Sequence, residues 1–292
     1  MIVRAVSGGI EVLAPAKLNL FLEVLGNRDD GYHEIETLMV AVDLYDRLTL
    51  ADDPSGRITL ECDHPGLTTG PENLIVRAAR CLQASAGRGR GARISLEKNI
   101  PLQSGLAGGS SDAAATLAGL NRLWKLELAI ADLERLASTL GSDVPFFLNG
   151  PAAVCRGRGE QVQAMTLRHP FYFVLVVPPV GVSTARVYSS IPVPSDPRPM
   201  GLCVDALSSG DTAALGRSLF NRLQPEAEAL EPDLVKVRDA LSSLDPPLCG
   251  SQLSGSGSAY FGLCRDAPTA SLAAGQLQRL GLGSVRVVTC GP

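Results

Sequence analysis

The chain has 292 residues, 45% hydrophobic and 19% charged, a balance that builds packed cores and excludes a disordered polymer. Its 26 basic and 30 acidic residues leave a net charge of −4, which disfavours a nucleic-acid binder with a basic face while leaving room for a local anion cradle made of backbone amides. The seven cysteines (62, 81, 155, 203, 249, 264 and 290) form no C-x-x-C pair and are odd in number, so they read as free thiols of a reducing cytoplasm rather than zinc ligands.

In chain order, Glu11 and Lys17 interrupt any apolar run of signal-peptide length at the N-terminus. "IEVLAPAKLNLFLEVLG" (10–26) alternates in two pieces around Pro15 and predicts two strands, the second entering the turn "NRDDGYH". "RLTLADDPSGRITLEC" (47–62) predicts a hairpin bent at Asp53, Pro54, Ser55 and Gly56. "NLIVRAARCLQASAG" (73–87) predicts a helix ending near Gly87, and "GARISLEKNIP" (91–101) a strand feeding a glycine-rich segment. "SSDAAATLAGLNRLWKL" (110–126) predicts a helix with Asp112 in its first turn, and "AIADLERLASTLG" (129–141) another stopped at Gly141.

Asp143, in "SDVPFFLNGPAAVCRGRGEQV" (142–162), falls in a return to loop and strand, at the lip of a buried strand. "FYFVLVV" (171–177) is the longest apolar stretch, far too short to span a bilayer, and reads as a buried strand. "IPVPSDPRPMG" (191–201) is a surface loop, while "ALGRSLFNRLQPEAEAL" (214–230) and "DLVKVRDALSSL" (233–244) predict helices. "CGSQLSGSGSAYFGLC" (249–264) predicts strand, glycine loop and strand, followed by a helix over 269–281 and a last strand over 284–290. Two α+β domains divided near residue 165 account for this order.

The segment "PLQSGLAGGSSDAAA" (101–115) carries the first chemical signal. A glycine-rich bend between a strand and a helix turns backbone N–H groups toward one centre, and the helix macrodipole adds positive potential there. The guest that fits is a polyphosphate, with the Ser110 and Ser111 hydroxyls near phosphate oxygens or magnesium; the same residues also serve as a plain helix cap. Neither the Walker pattern nor the G-x-G-x-x-G dinucleotide pattern is present.

That segment resembles the phosphate-binding loop of the GHMP kinases. "APAKLNLFLEVLGNRDDGYHEIETL" (14–38), "NLIVRAA" (73–79), "LGSDVPFFLNGPA" (140–152) and "LSGSGSAYF" (253–261) are similar in order and spacing to the members of that family acting on cytidine diphosphate methylerythritol. The resemblance spans about residues 14–262 and weakens over 191–248 and at the C-terminal tail; Gln103, Ser104 and Ala107 depart from glycines often found in the loop.

The resemblance implies an α+β, two-domain GHMP kinase. Residues 1–165 would form an ATP-binding domain like ribosomal protein S5 domain 2, and residues 166–292 a ferredoxin-like substrate domain. It implies a cytoplasmic enzyme of the non-mevalonate route to isoprenoids, phosphorylating the 2-hydroxyl of its substrate. ATP and Mg would be its cofactors, the metal held through phosphates, with Ser110 or Ser111 as side-chain candidates. Small molecules would be its partners, without nucleic acid or membrane, as a monomer or weak homodimer.

By the same resemblance Asp143 is the general base and Lys17, beside it, keeps it ionised; taken by themselves, the two residues read equally as a turn aspartate and a solvent-facing strand lysine. Asn73, Leu74, Lys98, Gly105, Leu106, Ala107, Gly108, Gly109, Ser110 and Ser111 would bind ATP, although Asn73 also fits a helix cap and Lys98 a surface lysine. Tyr32 and Tyr188 would sandwich cytosine, His33 would bond its edge, and Asn19 and Thr184 would lie near the methylerythritol or diphosphate. Gly255, Ser256 and Gly257 would donate amides to the substrate diphosphate or form a plain tight turn. The rival readings are a sugar or homoserine kinase with the same loop, a nucleotide-binding regulator without catalysis, and an RNA-binding protein on the same fold. Retention of Lys17 and Asp143 disfavours the second, and the net charge the third.

Overall fold

The computed structural model describes residues 1–86 and 89–291. Two compact units interleave along the chain. Met1–Ala16, Leu44–Ile100 and Ala107–Gly150 form the first; Lys17–Asp43, Pro101–Leu106 and Pro151–Pro292 form the second.

The first strands are β1 (Ile2–Val6), β2 (Gly9–Asn27), β3 (His33–Asp52) and β4 (Ile58–Cys62). After them come α1 (Leu74–Ala86), β5 (Ala92–Glu97), α2 (Gly108–Leu123) and α3 (Ile130–Leu140). Within the first unit, β1 pairs antiparallel with the start of β2, from Val6 opposite Gly9 to Ile2 opposite Leu13. This ladder ends before Pro15, so the missing proline N–H costs no β1 bond, and β2 runs through as one 19-residue strand instead of the two predicted.

The hairpin expected over 47–62 does not form. The bend itself is there, with Ser55 N–H donating to Asp53 Oδ1 at 2.9 Å. Beyond it, β5 lies between β3, its antiparallel partner, and β4, its parallel partner. Helix α1 buries Ile75, Val76, Ala78, Ala79 and Leu82 and exposes Arg77 and Arg80, the amphipathic pattern that its sequence predicts; its expected stop near Gly87 lies outside the described residues. Helix α2 is buried from Ser111 to Leu117, and its small residues let it pass close to the strands. A side chain at Gly119 would come within 2.6 Å of Leu50 and 2.9 Å of Val12. A 3-10 turn, Pro145–Leu148, follows α3.

The second unit adds β6 (Ala152–Arg156), β7 (Gln161–Met165), β8 (Phe171–Val177), α4 (Thr184–Ser190) and α5 (Gly201–Ser209). Then come α6 (Thr212–Ser218), β9 (Phe220–Asn221), α7 (Gln224–Leu230) and α8 (Asp233–Ser242). The last elements are β10 (Gly250–Leu253), β11 (Tyr260–Cys264), α9 (Ala267–Leu280) and β12 (Ser284–Cys290). The single helix expected over 214–230 is broken by β9, which pairs in parallel with β2 at Phe21 and Leu22.

Strands β8, β10, β11 and β12 form an antiparallel sheet in the order β10-β11-β8-β12. With α4–α8 between β8 and β10 and α9 between β11 and β12, this is the split βαβ order of a ferredoxin-like fold. Val174, Val176, Val187, Leu234, Val237, Leu253, Tyr260 and Leu277 build the core of this unit.

One buried charge fixes the irregular part of the second unit. Glu23 is fully buried on β2, and its carboxylate accepts two bonds of 2.7 Å from Arg222 and one of 2.8 Å from the Arg198 N–H. Arg198 and Arg222 also stand over the Phe220 ring, 5.0 and 4.9 Å from its centroid, which ties the proline-rich loop to β9. Burial pushes the Glu23 carboxyl up, but the bonds from Arg222, Arg198 and Val24 outweigh it and hold the group below its ordinary 4.5.

A depressed carboxyl stabilises the fold above its unfolded pKa, and that contribution fades as pH falls through the folded value. Glu23→Gln is therefore expected to lower stability by about 1.5–3 kcal/mol at neutral pH and to flatten the acid limb of the stability profile. Denaturant titrations from pH 7 down to 3 measure both.

Candidate active site

The loop from β5 to α2 carries three residues in the left-handed region, Gln103 at φ 51°, Gly105 at 76° and Ala107 at 55°. The non-glycine residues there are costly, by about 1–2 kcal/mol each. Position 105 tolerates only glycine, since a Cβ would collide with the Ser254 carbonyl oxygen. Helix α2 starts at Gly108, so the glycine pair is the first helical turn and not a linker before it; Asp112 is the fifth helical residue, outside the first turn expected for it.

Ala107, at the N-cap, offers no side-chain acceptor, and the Ser111 N–H is the first amide of the helix to bond back, to the Ala107 carbonyl at 3.0 Å. By contrast, Ser183, Asp211 and Asp266 cap α4, α6 and α9 with their side chains. Among the described residues, the N–H groups of Gly108, Gly109 and Ser110 have no helical or side-chain partner, the arrangement that accepts an anion. Ser110 is half-buried and within reach of solvent, whereas Ser111 is fully buried and its Oγ has no partner.

Lys98 is not the surface lysine that its sequence allows. Its side chain is 2% exposed and its ammonium is held by Asp46 and, at 2.9 Å, by Asp112. Asp46 also accepts the Asn99 and Ile100 N–H groups at 2.7 and 2.8 Å, so it binds the strand end and the lysine together. The ammonium lies beneath the start of α2: a Cβ at Gly108 would stand 2.7 Å from Nζ. Burial pushes the Asp112 carboxyl up to about 8; the Lys98 ammonium opposes the rise and the neighbouring Asp46 adds to it. Two carboxylates share one ammonium, so the set is neutral when one of them keeps its proton.

Asn73 accepts the Ile75 N–H at 2.8 Å and donates to the Thr68 carbonyl at 2.7 Å, which makes it the cap of α1. Leu74 faces Gly109, its Cδ1 3.7 Å from where a Cβ would stand. Asp143 is half-buried and precedes the 3-10 turn rather than sitting at the lip of a strand, in a turn where the Val144 N–H donates to the Gly141 carbonyl at 3.4 Å.

In the second unit the other candidates converge. Lys17 is 3% exposed; its ammonium donates to the Gly105 carbonyl at 2.6 Å and to Asn19 Oδ1. Asn19 Nδ2 donates to Thr37 Oγ1 at 2.8 Å, and Thr37 donates on to the Phe21 carbonyl at 2.6 Å, which fixes the amide with its oxygen toward Lys17. The Asn19 side chain is thus committed to holding the lysine. Ser254 Oγ donates to the same Gly105 carbonyl at 3.1 Å, and Gly255 is pressed against the pair, with room for a Cβ only 3.2 Å from Lys17 Nζ.

Further along the unit, His33 and Tyr188 lie ring to ring, centroids 5.2 Å apart. Tyr32 is 50% exposed, with the Arg158 guanidinium 5.0 Å over its ring. Thr184 Oγ1 and Ser256 Oγ share a 2.7 Å hydrogen bond, which joins the first turn of α4 to the second glycine loop. Thr37 and Ser254 lie inside quoted motifs without a role assigned there, and Asp46 and Arg158 lie outside them; only their position across the fold reveals what they hold.

An uncapped, glycine-rich helix start such as that of α2 suits a phosphate-bearing ligand. Residues 73–151 match the pattern of the GHMP kinases N terminal domain and residues 203–281 that of the GHMP kinases C terminal. The chain is 42% identical over 275 residues to a 4-diphosphocytidyl-2-C-methyl-D-erythritol kinase of Pelotomaculum thermopropionicum, covering 92% of this chain and 94% of that one. It is 43% identical to the Synechococcus sp. protein of the same name, covering 94% of each. A crystal structure of 4-(cytidine 5'-diphospho)-2C-methyl-D-erythritol kinase superposes with a TM-score of 0.81 at 40% identity over 97% of this chain and 99% of that one. The homoserine kinase of Cytophaga hutchinsonii shares the fold at TM-score 0.77 and 22% identity, over 100% of this chain and 98% of that one. The chain belongs to the 4-diphosphocytidyl-2-C-methyl-D-erythritol kinase family of the GHMP kinases.

The two aspartates around Lys98 are expected to respond differently to substitution. Asp112 is raised far above its ordinary 3.8, so its contribution to stability declines as pH rises from about 4 to about 8. Asp112→Asn is expected to remove that decline and to melt at an equal or higher temperature than wild type at pH 8. Asp46→Ala strips the acceptor from two N–H groups and a buried ammonium and is expected to cost about 3–5 kcal/mol. Thermal unfolding at pH 5.5 and 8 separates the two.

Proposed function

We propose that this chain transfers the γ-phosphoryl group of ATP to the 2-hydroxyl of 4-diphosphocytidyl-2-C-methyl-D-erythritol, in the non-mevalonate route to isoprenoids. The observation that carries the reading is the start of α2, where a buried helix presents three amides and no cap. Membership of a kinase family implies ATP as the second substrate. The triphosphate would rest on Gly108, Gly109 and Ser110, with Gly105, Leu106 and Ala107 shaping the bend and Leu74 beside the nucleotide. Asn73 and Lys98 would act indirectly, by fixing α1 and the underside of α2.

Magnesium would be carried mainly by the phosphates, with the half-buried Ser110 hydroxyl at the start of α2 as the side chain to hold it. When bound, magnesium would neutralise charge on the transferring phosphates.

In the transfer the substrate oxygen forms a bond to the γ-phosphorus, the bond from that phosphorus to the β–γ bridging oxygen breaks, and ADP leaves with the electron pair. Asp143 takes the hydroxyl proton, and the Lys17 ammonium stabilises negative charge on the reacting oxygens. Asn19 serves by orienting Lys17. The cytosine would be read by Tyr32, His33 and Tyr188, and the substrate diphosphate by Thr184 and the Gly255, Ser256 and Gly257 loop. ATP binding falls to residues 1–165 and substrate binding largely to 166–292 in this reading, in a cytoplasmic monomer or weak homodimer. Among the described residues no helix is long and apolar enough to cross a membrane.

Asp143→Asn keeps size and shape and is expected to lower kcat by about 10²–10⁴-fold while sparing substrate binding. Near-normal turnover of the purified variant would remove Asp143 as the base. Tyr188→Ala is expected to weaken the cytidine substrate by ~1–3 kcal/mol, roughly 5- to 150-fold, and to leave ATP affinity unchanged. Calorimetry with cytidine and uridine forms of the substrate tests the same site, because a pyrimidine with donor and acceptor exchanged leaves buried partners unpaired. Equal affinity for both forms, with no loss in Tyr188→Ala, would contradict the cytidine assignment.

A further inference from the structure

The second glycine loop touches the seat of Lys17, and one buried amide controls its backbone. Asn221 lies on β9 and is 6% exposed. Its Nδ2 donates to the Leu253 carbonyl at 2.9 Å and to the Gly255 carbonyl at 2.7 Å, and its Oδ1 accepts the Leu223 N–H at 2.9 Å. Both amide hydrogens are thus spent on the two carbonyls that flank Ser254. Between them, Ser254 Oγ donates to the Gly105 carbonyl and accepts the Asn19 N–H at 3.4 Å. Gly255, at φ 56°, faces Lys17 Nζ and Asn19 Oδ1 so closely that the path of its backbone decides how much room the ammonium has.

We propose that Asn221 is a positioning residue for phosphoryl transfer: by holding the carbonyls of Leu253 and Gly255 it sets the wall against which the Lys17 ammonium is seated. This inference rests on the reading of Lys17 given above. The physical argument is one of satisfaction. Two backbone carbonyls in a buried turn need donors, and a primary amide supplies two from one side chain while its oxygen anchors it to the chain just beyond β9. Without that amide the carbonyls must turn toward other donors, and the Lys17 ammonium stands against Gly255. A carbonyl that captures this charge draws it away from the reacting oxygens. ATP is bound by other residues, so the damage falls on kcat.

Asn221→Asp preserves shape and the Leu223 bond but opposes an oxygen to each carbonyl; Asn221→Ser removes the donors without repulsion and covers the case in which the aspartate does not fold. In either folded variant kcat is expected to fall by about 10–100-fold, the scale of a small misplacement of a reacting group, while KM for ATP stays within about twofold of wild type. Amide exchange by mass spectrometry is expected to rise over 250–260. The decisive comparison combines Asn221→Ser with Lys17→Met. If Asn221 acts through Lys17, the double variant turns over at the rate of Lys17→Met alone. Independent losses that multiply in the double variant, or an unchanged kcat in Asn221→Ser, overturn the proposal while leaving the role of Lys17 intact. Near-normal turnover of Lys17→Met overturns the reading of Lys17 and the proposal with it.

Discussion

A buried ammonium must be satisfied by acceptors held at fixed positions, and Lys17 imposes that demand on the second unit. Removing a charge from water costs several kcal/mol unless partners replace the lost hydration. Among its partners are the Gly105 carbonyl and the Asn19 amide oxygen. Each brings its own support: Thr37 behind Asn19, Ser254 beside the Gly105 carbonyl, and Asn221 behind the carbonyls that flank Ser254. Glycine is needed at 105 and 255 because a Cβ at the first would strike the Ser254 carbonyl and one at the second would crowd the lysine. Much of the polar order around the start of β2 and the second glycine loop follows from keeping one cation dry and oriented.

The first unit solves a related problem with carboxylates. Lys98 has two carboxylates for one ammonium, and burial raises the Asp112 carboxyl well above the ordinary carboxylate range. This cation is consumed by its partners and acts as a support under α2. Lys17 donates to two neutral oxygens, the Gly105 carbonyl and Asn19 Oδ1, which fix its position.

What could be read in the sequence was what depends on neighbours in the chain. The amphipathic spacing of α1, the last helix α9, the apolar run of β8 and both glycine loops lie at the expected places because local pattern determines them. Pro15 suggested a break in β2, yet the ladder to β1 had already ended there. The bend at Asp53–Gly56 suggested a hairpin, but β5 (Ala92–Glu97) arrives from beyond α1 and lies between the two strands. Phe220 and Asn221 interrupt a helical pattern because a parallel pairing with β2 prevails over local propensity. The same holds for the site. Lys17, Asp143 and the loops stand in contiguous motifs, whereas Thr37, Asp46, Ser254 and Asn221 act through contacts between distant segments. Lys98 and Asn73 were found, but a single sequence does not reveal that their polar atoms are already engaged within the protein.

The assignment of substrate is the centre of the account. Its most direct test measures ATP consumption by the purified chain, with ³¹P NMR of the product. The panel sets 4-diphosphocytidyl-2-C-methyl-D-erythritol against mevalonate, homoserine and galactose. The account predicts rapid turnover with the cytidine compound alone and a new phosphate monoester on its 2-oxygen. Turnover with another member of the panel and none with the cytidine compound would contradict it.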